Sequence, residues 1–147
     1  VPEIVHTVEV DATPQQVWDA LTDWDRQGEW MLLTRVRGTT QDGQGVGGGI
    51  EGRTGLGRIR VLDSMTITVW EPPVRCVVRH TGRVVRGGGA FEVVDLGGGR
   101  SRFVWSEFLD LPLGWLGRIG FRFVRPLFDV GLRWSLRRFA RYVEGTV

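Results

Sequence analysis

A change of period constrains this chain most. Residues 32–110 read as a succession of short alternating strands. From Trp115 the pattern is helical, with Phe128, Leu132, Leu136, Phe139 and Val143 at steps of four, four, three and four. Arg133, Arg137, Arg138, Arg141 and Glu144 fall mostly on the other side of that helix. A single sheet with one apolar face needs a cover, and the amphipathic C-terminal segment is the one available. The pattern predicts an α+β domain with an antiparallel sheet, in one unit spanning residues 1–147.

The N-terminal part fits this plan. Residues 4–10 alternate as a strand. Thr13-Pro14-Gln15-Gln16 then offers an N-cap, a proline at the first helical position and a capping-box glutamine. The helix that follows places Val17, Ala20, Leu21 and Trp24 on one side, and a second short helical piece is expected over residues 25–31. Strands are expected at 32–39, 50–55, 59–70, 75–82, 87–95 and 101–110. Pro72 and Pro73 end the fourth of the chain's strands, because proline gives no ladder donor. Gly97-Gly98-Gly99 makes a turn, and Pro112 and Gly114 close the last strand. Pro126 starts or kinks the main helix, taken as residues 126–145.

Composition removes several functions. All 19 basic residues are Arg, with no Lys and no Asn. A Walker phosphate loop, a kinase or a Schiff-base enzyme lacks its lysine here. The net charge is only +2, which gives no footprint for nucleic acid. Cys76, His6 and His80 are the only soft ligands, too few for a structural zinc site, and no metal or cofactor is expected. No secretory signal or long apolar run is visible, so a cytoplasmic location is expected. No Gly-x-Ser-x-Gly elbow surrounds any serine, which argues against a hydrolytic triad.

The opening run Val8-x-Val10-x-Ala12-x-Pro14-x-x-Val17-Trp18-x-x-Leu21-x-Asp23-Trp24, followed by Trp30, resembles that of START-like (SRPBCC) proteins. Within them it is most similar to the polyketide cyclase/dehydrase and lipid-transport group. Glu71-Pro72-Pro73-x-Arg75 and the Trp105-bearing last strand before a long helix fit the same resemblance. It implies a helix-grip fold: a seven-stranded antiparallel sheet wrapped around a long C-terminal helix, with two short helices after the first strand. It also implies a hydrophobic cavity between sheet and helix that binds a lipid- or polyketide-like small molecule. On that plan the lining is expected from Ile67, Val69, Val78, Phe91, Val93, Phe103, Trp105, Phe128 and Leu132. Some of the tryptophans, with Trp70, Trp105 or Trp134 among them, are expected in its wall.

Two polar residues stand out. Arg102 should face water, so alternation places Phe103, Trp105, Glu107 and Leu109 toward the helix. A carboxylate in such a series needs a partner. Glu107 pairs with an inward Arg, or serves as acid/base or hydroxyl acceptor for a ligand, or sits at the open sheet end. For residues 75–82 two faces remain open: Cys76, Val78 and His80 inward, or Val77, Arg79 and Thr81. In the first case His80 joins Glu107 as a candidate catalytic residue of a cyclase/dehydrase. His6 is expected to be structural or exposed.

Gly43-x-Gly45-x-x-Gly48 matches the spacing of a dinucleotide fingerprint, but no helix follows it. It reads as a hairpin loop. With residues 56–60 and 114–120 it is expected to control access to the cavity. A further alternative is contact with an anionic membrane surface or a partner through Arg118, Arg122 and Arg125, interleaved with Trp115, Phe121 and Phe123. The protein is expected to act as a monomer or homodimer.

Overall fold

The computed structural model describes residues 3–82, 86–110 and 114–146. Pro112, expected to end the last strand, lies outside them. The elements are β1 (Glu3–Val10), α1 (Pro14–Leu21), a 3-10 turn (Trp24–Glu29), β2 (Thr34–Gly38), a second 3-10 turn (Thr40–Gly43), β3 (Gly49–Leu56), β4 (Ile59–Glu71), β5 (Arg75–Thr81), β6 (Arg86–Gly97), β7 (Arg100–Leu109) and α2 (Trp115–Thr146).

The strands form one seven-stranded sheet in the order β1-β7-β6-β5-β4-β3-β2, with every pair antiparallel. β2 to β7 are successive neighbours in the sheet. Only the step from β1 to β2 crosses the sheet, and it carries α1 and the first 3-10 turn. This is the helix-grip arrangement expected from the resemblance. The expected main helix at 126–145 is part of a longer one that begins at Trp115, with Pro126 inside it.

Local chemistry explains the N-terminal insert. Thr13 caps α1: the Gln16 amide donates to Thr13 Oγ1 at 3.2 Å, and the Thr13 amide donates to Gln16 Oε1 at 2.9 Å. Gln27 is buried, and its side-chain amide donates to the Leu21 carbonyl at 2.7 Å, which closes the end of α1. These bonds direct Val17, Trp18 and Leu21 against the sheet, where all three are buried.

The core fills one end of the space between sheet and helix. Trp30 is fully buried and meets Phe139, Trp105 and Phe103 at ring separations of 4.7, 6.1 and 6.4 Å. Trp18 packs edge-on against Trp70 at 5.1 Å. Leu132, Leu136, Phe139 and Val143 of the expected helix stripe are buried there, with Phe128 half-buried at its N-terminal end. Beyond Phe128 toward Trp115, α2 loses this packing: Phe123 is 77% exposed and Trp115 64%.

Candidate functional site

Where the core stops, the space between sheet and α2 stays open as a cavity of about 450 Å³. Small residues on the sheet and helix make the room. Gly52, Gly89 and Ala90 lie on the sheet side and Gly131 on the helix side. Most of the wall is apolar, with Met31, Val36, Ile50, Met65, Val78 and Phe91 typical of it.

His80, Asp63 and Glu107 form a polar cluster in that wall. β5 turns Cys76, Val78 and His80 inward, which settles the choice of face left open by the sequence. His80 Nδ1 lies 2.8 Å from Asp63 Oδ1 on β4, and Nε2 lies 3.0 Å from Glu107 Oε2 on β7. The His80 side chain is only 4% exposed. Burial works against a charged imidazole. Hydrogen bonds to Asp63 and to Glu107, with the charges of both, outweigh it and raise the pKa from its ordinary 6.5 to about 10. At neutral pH His80 is therefore an imidazolium placed to donate to both acids.

Glu107 is fixed on two sides. Its other oxygen accepts the Trp105 indole N–H at 2.9 Å. Among the described residues Glu107 has no arginine partner, one of the three readings left open by the sequence: the counter-charge comes from His80. A Cβ on Gly89 would stand 3.0 Å from a Glu107 carboxylate oxygen, so the bare backbone of β6 leaves room for the carboxyl group. Cys76 also lines the cavity, and burial pushes its thiol pKa up to about 12, so it stays protonated and unreactive.

Of the expected lining residues, Val78, Phe91, Trp105, Phe128 and Leu132 face the cavity. Ile67, Val93 and Phe103 do not: they point inward but lie deeper, buried in the packed core. Val69 is wrong for a different reason. A β-bulge between Ile67 and Val69 shifts the pairing, so Ile67 stands opposite Val78 while Val69 stands opposite outward-facing Val77. One extra residue reverses every later side chain, and Trp70 takes the inward position that unbroken alternation would deny it. Among the tryptophans, Trp24 and Trp105 reach the cavity, while Trp18, Trp30 and Trp70 belong to the core and Trp134 is 43% exposed on α2.

Asp63 was missed by sequence reasoning, although a signal was there. Counting back from Ile67 in steps of two reaches Met65 and then Asp63. The expected access segments contribute nothing to the lining. The glycine-rich loop is pinned at the far end: Gly47 N–H donates to Ile67 O at 2.9 Å, Ile67 N–H to Gly48 O at 2.8 Å, and the Trp24 indole to Gly43 O at 2.8 Å. Residues 56–60 form a tight hairpin tip rather than a loop. Gly114 and the first residues of α2 up to Gly120 place no side chain in the wall.

Outside the cavity, His6 ties β1 to α2, with Nε2 at 2.8 Å from Asp129 Oδ1. Arg125 approaches the same carboxylate at 3.7 Å and so is partly neutralised. Among the described residues, no group of three or more His, Cys, Asp or Glu side chains is arranged to hold a metal ion. No described helix is long and apolar enough to cross a membrane.

Comparison with known proteins agrees with this geometry. The family model for "polyketide cyclase / dehydrase and lipid transport" matches residues 2–144. No curated protein matches the sequence. A Thermus thermophilus protein of known structure is similar in fold, with a TM-score of 0.78 and 15% identity over 99% of both chains. The Zhui aromatase/cyclase from a Streptomyces species superposes with a TM-score of 0.76 and 16% identity, covering 97% of this chain and 93% of that one. The di-domain ARO/CYC protein BexL matches at 0.72 and 14% identity, over 98% of this chain and 47% of its own length. At these identities the structures share the fold.

Proposed function

Since the chain belongs to the polyketide cyclase/dehydrase and lipid transport family, we propose that it binds an apolar small molecule in the cavity between the sheet and α2. The observation that carries this is an apolar cavity of about 450 Å³ with one charged cluster in its wall. That is the usual composition of a small-molecule site: apolar walls for affinity and a few polar groups for orientation. At about 25 cal/mol per Å² of apolar surface removed from water, desolvation supplies most of the binding energy. The polar end of the ligand meets Asp63 and Glu107.

Methyl-resolved NMR with 2-naphthol as the probe tests the reading. Shifts are expected at Met31, Met65, Val78 and Leu132. Shifts confined to Leu116, Ile119 and Val124 on the exposed part of α2, or no shifts at all, would exclude the cavity as the binding site.

One observation favours cyclase/dehydrase chemistry as a second reading: two carboxylates, held by an imidazolium, stand in the wall of a mostly apolar cavity. Such a group takes the proton α to a carbonyl and, once protonated, returns it to the departing β-hydroxyl, giving an enone and water. Dehydration of 4-hydroxy-4-(2-naphthyl)butan-2-one, followed by enone absorbance, is the check. Glu107→Gln is expected to lower the catalysed rate about 100-fold or more with binding retained. Equal rates for the two proteins would remove Glu107 from the chemistry.

A further inference from the structure

The charge balance of the cavity wall narrows the ligand class, given the cavity reading above. Among the described residues no arginine lines the cavity, and the chain has no lysine. Among the described residues the only cation in the wall is His80, and both its ring N–H groups are committed to Asp63 and Glu107. The two indole donors of the wall are committed as well. The Trp105 indole serves Glu107, and the Trp24 indole serves the Gly43 carbonyl. The Ser135 hydroxyl accepts from the Leu32 amide, and Gln27 donates one N–H to the Leu21 carbonyl; the donor capacity left on these two is neutral and offers an anion no counter-charge.

Acceptor capacity, by contrast, is in surplus. Asp63 Oδ2 has no hydrogen-bond partner among the described residues, and each Glu107 oxygen takes one bond where it has room for two. A ligand group brought here meets two carboxylates and one imidazolium that already serves both. In apolar surroundings charges are weakly screened, so an incoming anion is repelled and loses its hydration without repayment. A donor, above all a cationic one, gains on both counts.

We propose that the cavity selects apolar molecules whose polar end donates a hydrogen bond, a protonated amine or a hydroxyl, and rejects carboxylates and phosphates. Fatty acids and acidic lipids are then outside its ligand class, and aryl or alkyl amines, phenols and alcohols are inside it.

Isothermal titration at neutral pH with four probes of one shape tests this: 2-naphthylmethylamine, 2-naphthol, 2-methylnaphthalene and 2-naphthoate. The amine is expected to bind at least about tenfold more tightly than the naphthoate, and the naphthol more tightly than the methyl compound. Naphthoate binding as tightly as the amine overturns the proposed selectivity and leaves the cavity reading standing. Absence of binding by all four overturns the cavity reading itself.

Discussion

Raising the pH from about 7 to about 9 is expected to cost the protein on the order of 1 kcal/mol of stability per pH unit, a slope set mainly by His80. Folded, His80 keeps its proton up to about pH 10; its ordinary value is 6.5. Between these limits the native state holds one proton more than the unfolded chain, so each rise in pH favours unfolding. The contribution is complete below about pH 6.5, fades across the window and is gone above about pH 10. Its full size is on the order of a few kcal/mol, a large part of the stability of an ordinary domain. Cys76 acts in the same direction, since its folded pKa of about 12 lies above its ordinary 9.0, but only at the alkaline end.

Urea denaturation at several pH values measures the slope. His80→Gln should lose it and should also be the less stable protein at pH 7, because two partly buried acids lose their shared cation. A wild-type stability that is flat from about pH 7 to 9 would contradict the charged state assigned to the cluster. It would also weaken the case for an anionic cavity wall.

The fold was legible because its signals are local and periodic. The Thr13–Gln16 box, the Pro72-Pro73 stop and the apolar stripe from Phe128 to Val143 each act over a few residues. The first two place the ends of their elements, and the stripe marks the packed half of α2. The long-range features were less accessible. The bulge after Ile67 adds one residue to β4 without any Gly or Pro to mark it, so Val69 was assigned to the wrong face. Depth along the sheet was also hidden. Phe103 and Trp105 share one face of β7, yet only Trp105 reaches the cavity, because Trp30 and Phe139 from distant segments fill the space beside Phe103.

The site was half legible for the same reason. Alternation placed Glu107 inward from its own strand, but His80 needed a choice of face that residues 75–82 do not encode alone. Asp63 joins them only because β4 pairs with β5, setting Met65 opposite His80 and Asp63 within reach of its ring. Three strands are needed to assemble the cluster. The glycine-rich segment misled in the other direction. Its composition suggests mobility, whereas backbone hydrogen bonds to Ile67 hold it against β4.

The second large effect concerns Gly131. This residue lines the cavity from the helix side, and a Cβ there would meet only Leu32 Cδ2, at an ordinary 3.5 Å. Glycine inside a helix costs up to about 1 kcal/mol relative to alanine, and a larger side chain recovers part of that. Substitution should therefore leave the fold intact or slightly more stable. In a helix the new side chain leans back toward the N-terminus, over the turn that carries Leu127 and Phe128. Both line the same cavity, so an aromatic ring at position 131 takes up volume that a ligand needs.

Gly131→Ala is the matched control, adding a methyl group and little else. The most direct test of the cavity as the binding site is titration of 2-naphthol into the wild type, Gly131→Ala and Gly131→Phe, with thermal unfolding of each. The expected result is binding preserved in Gly131→Ala and weakened about tenfold or more in Gly131→Phe, with no loss of thermal stability in either. Undiminished binding by a folded Gly131→Phe would place the ligand elsewhere and contradict the account.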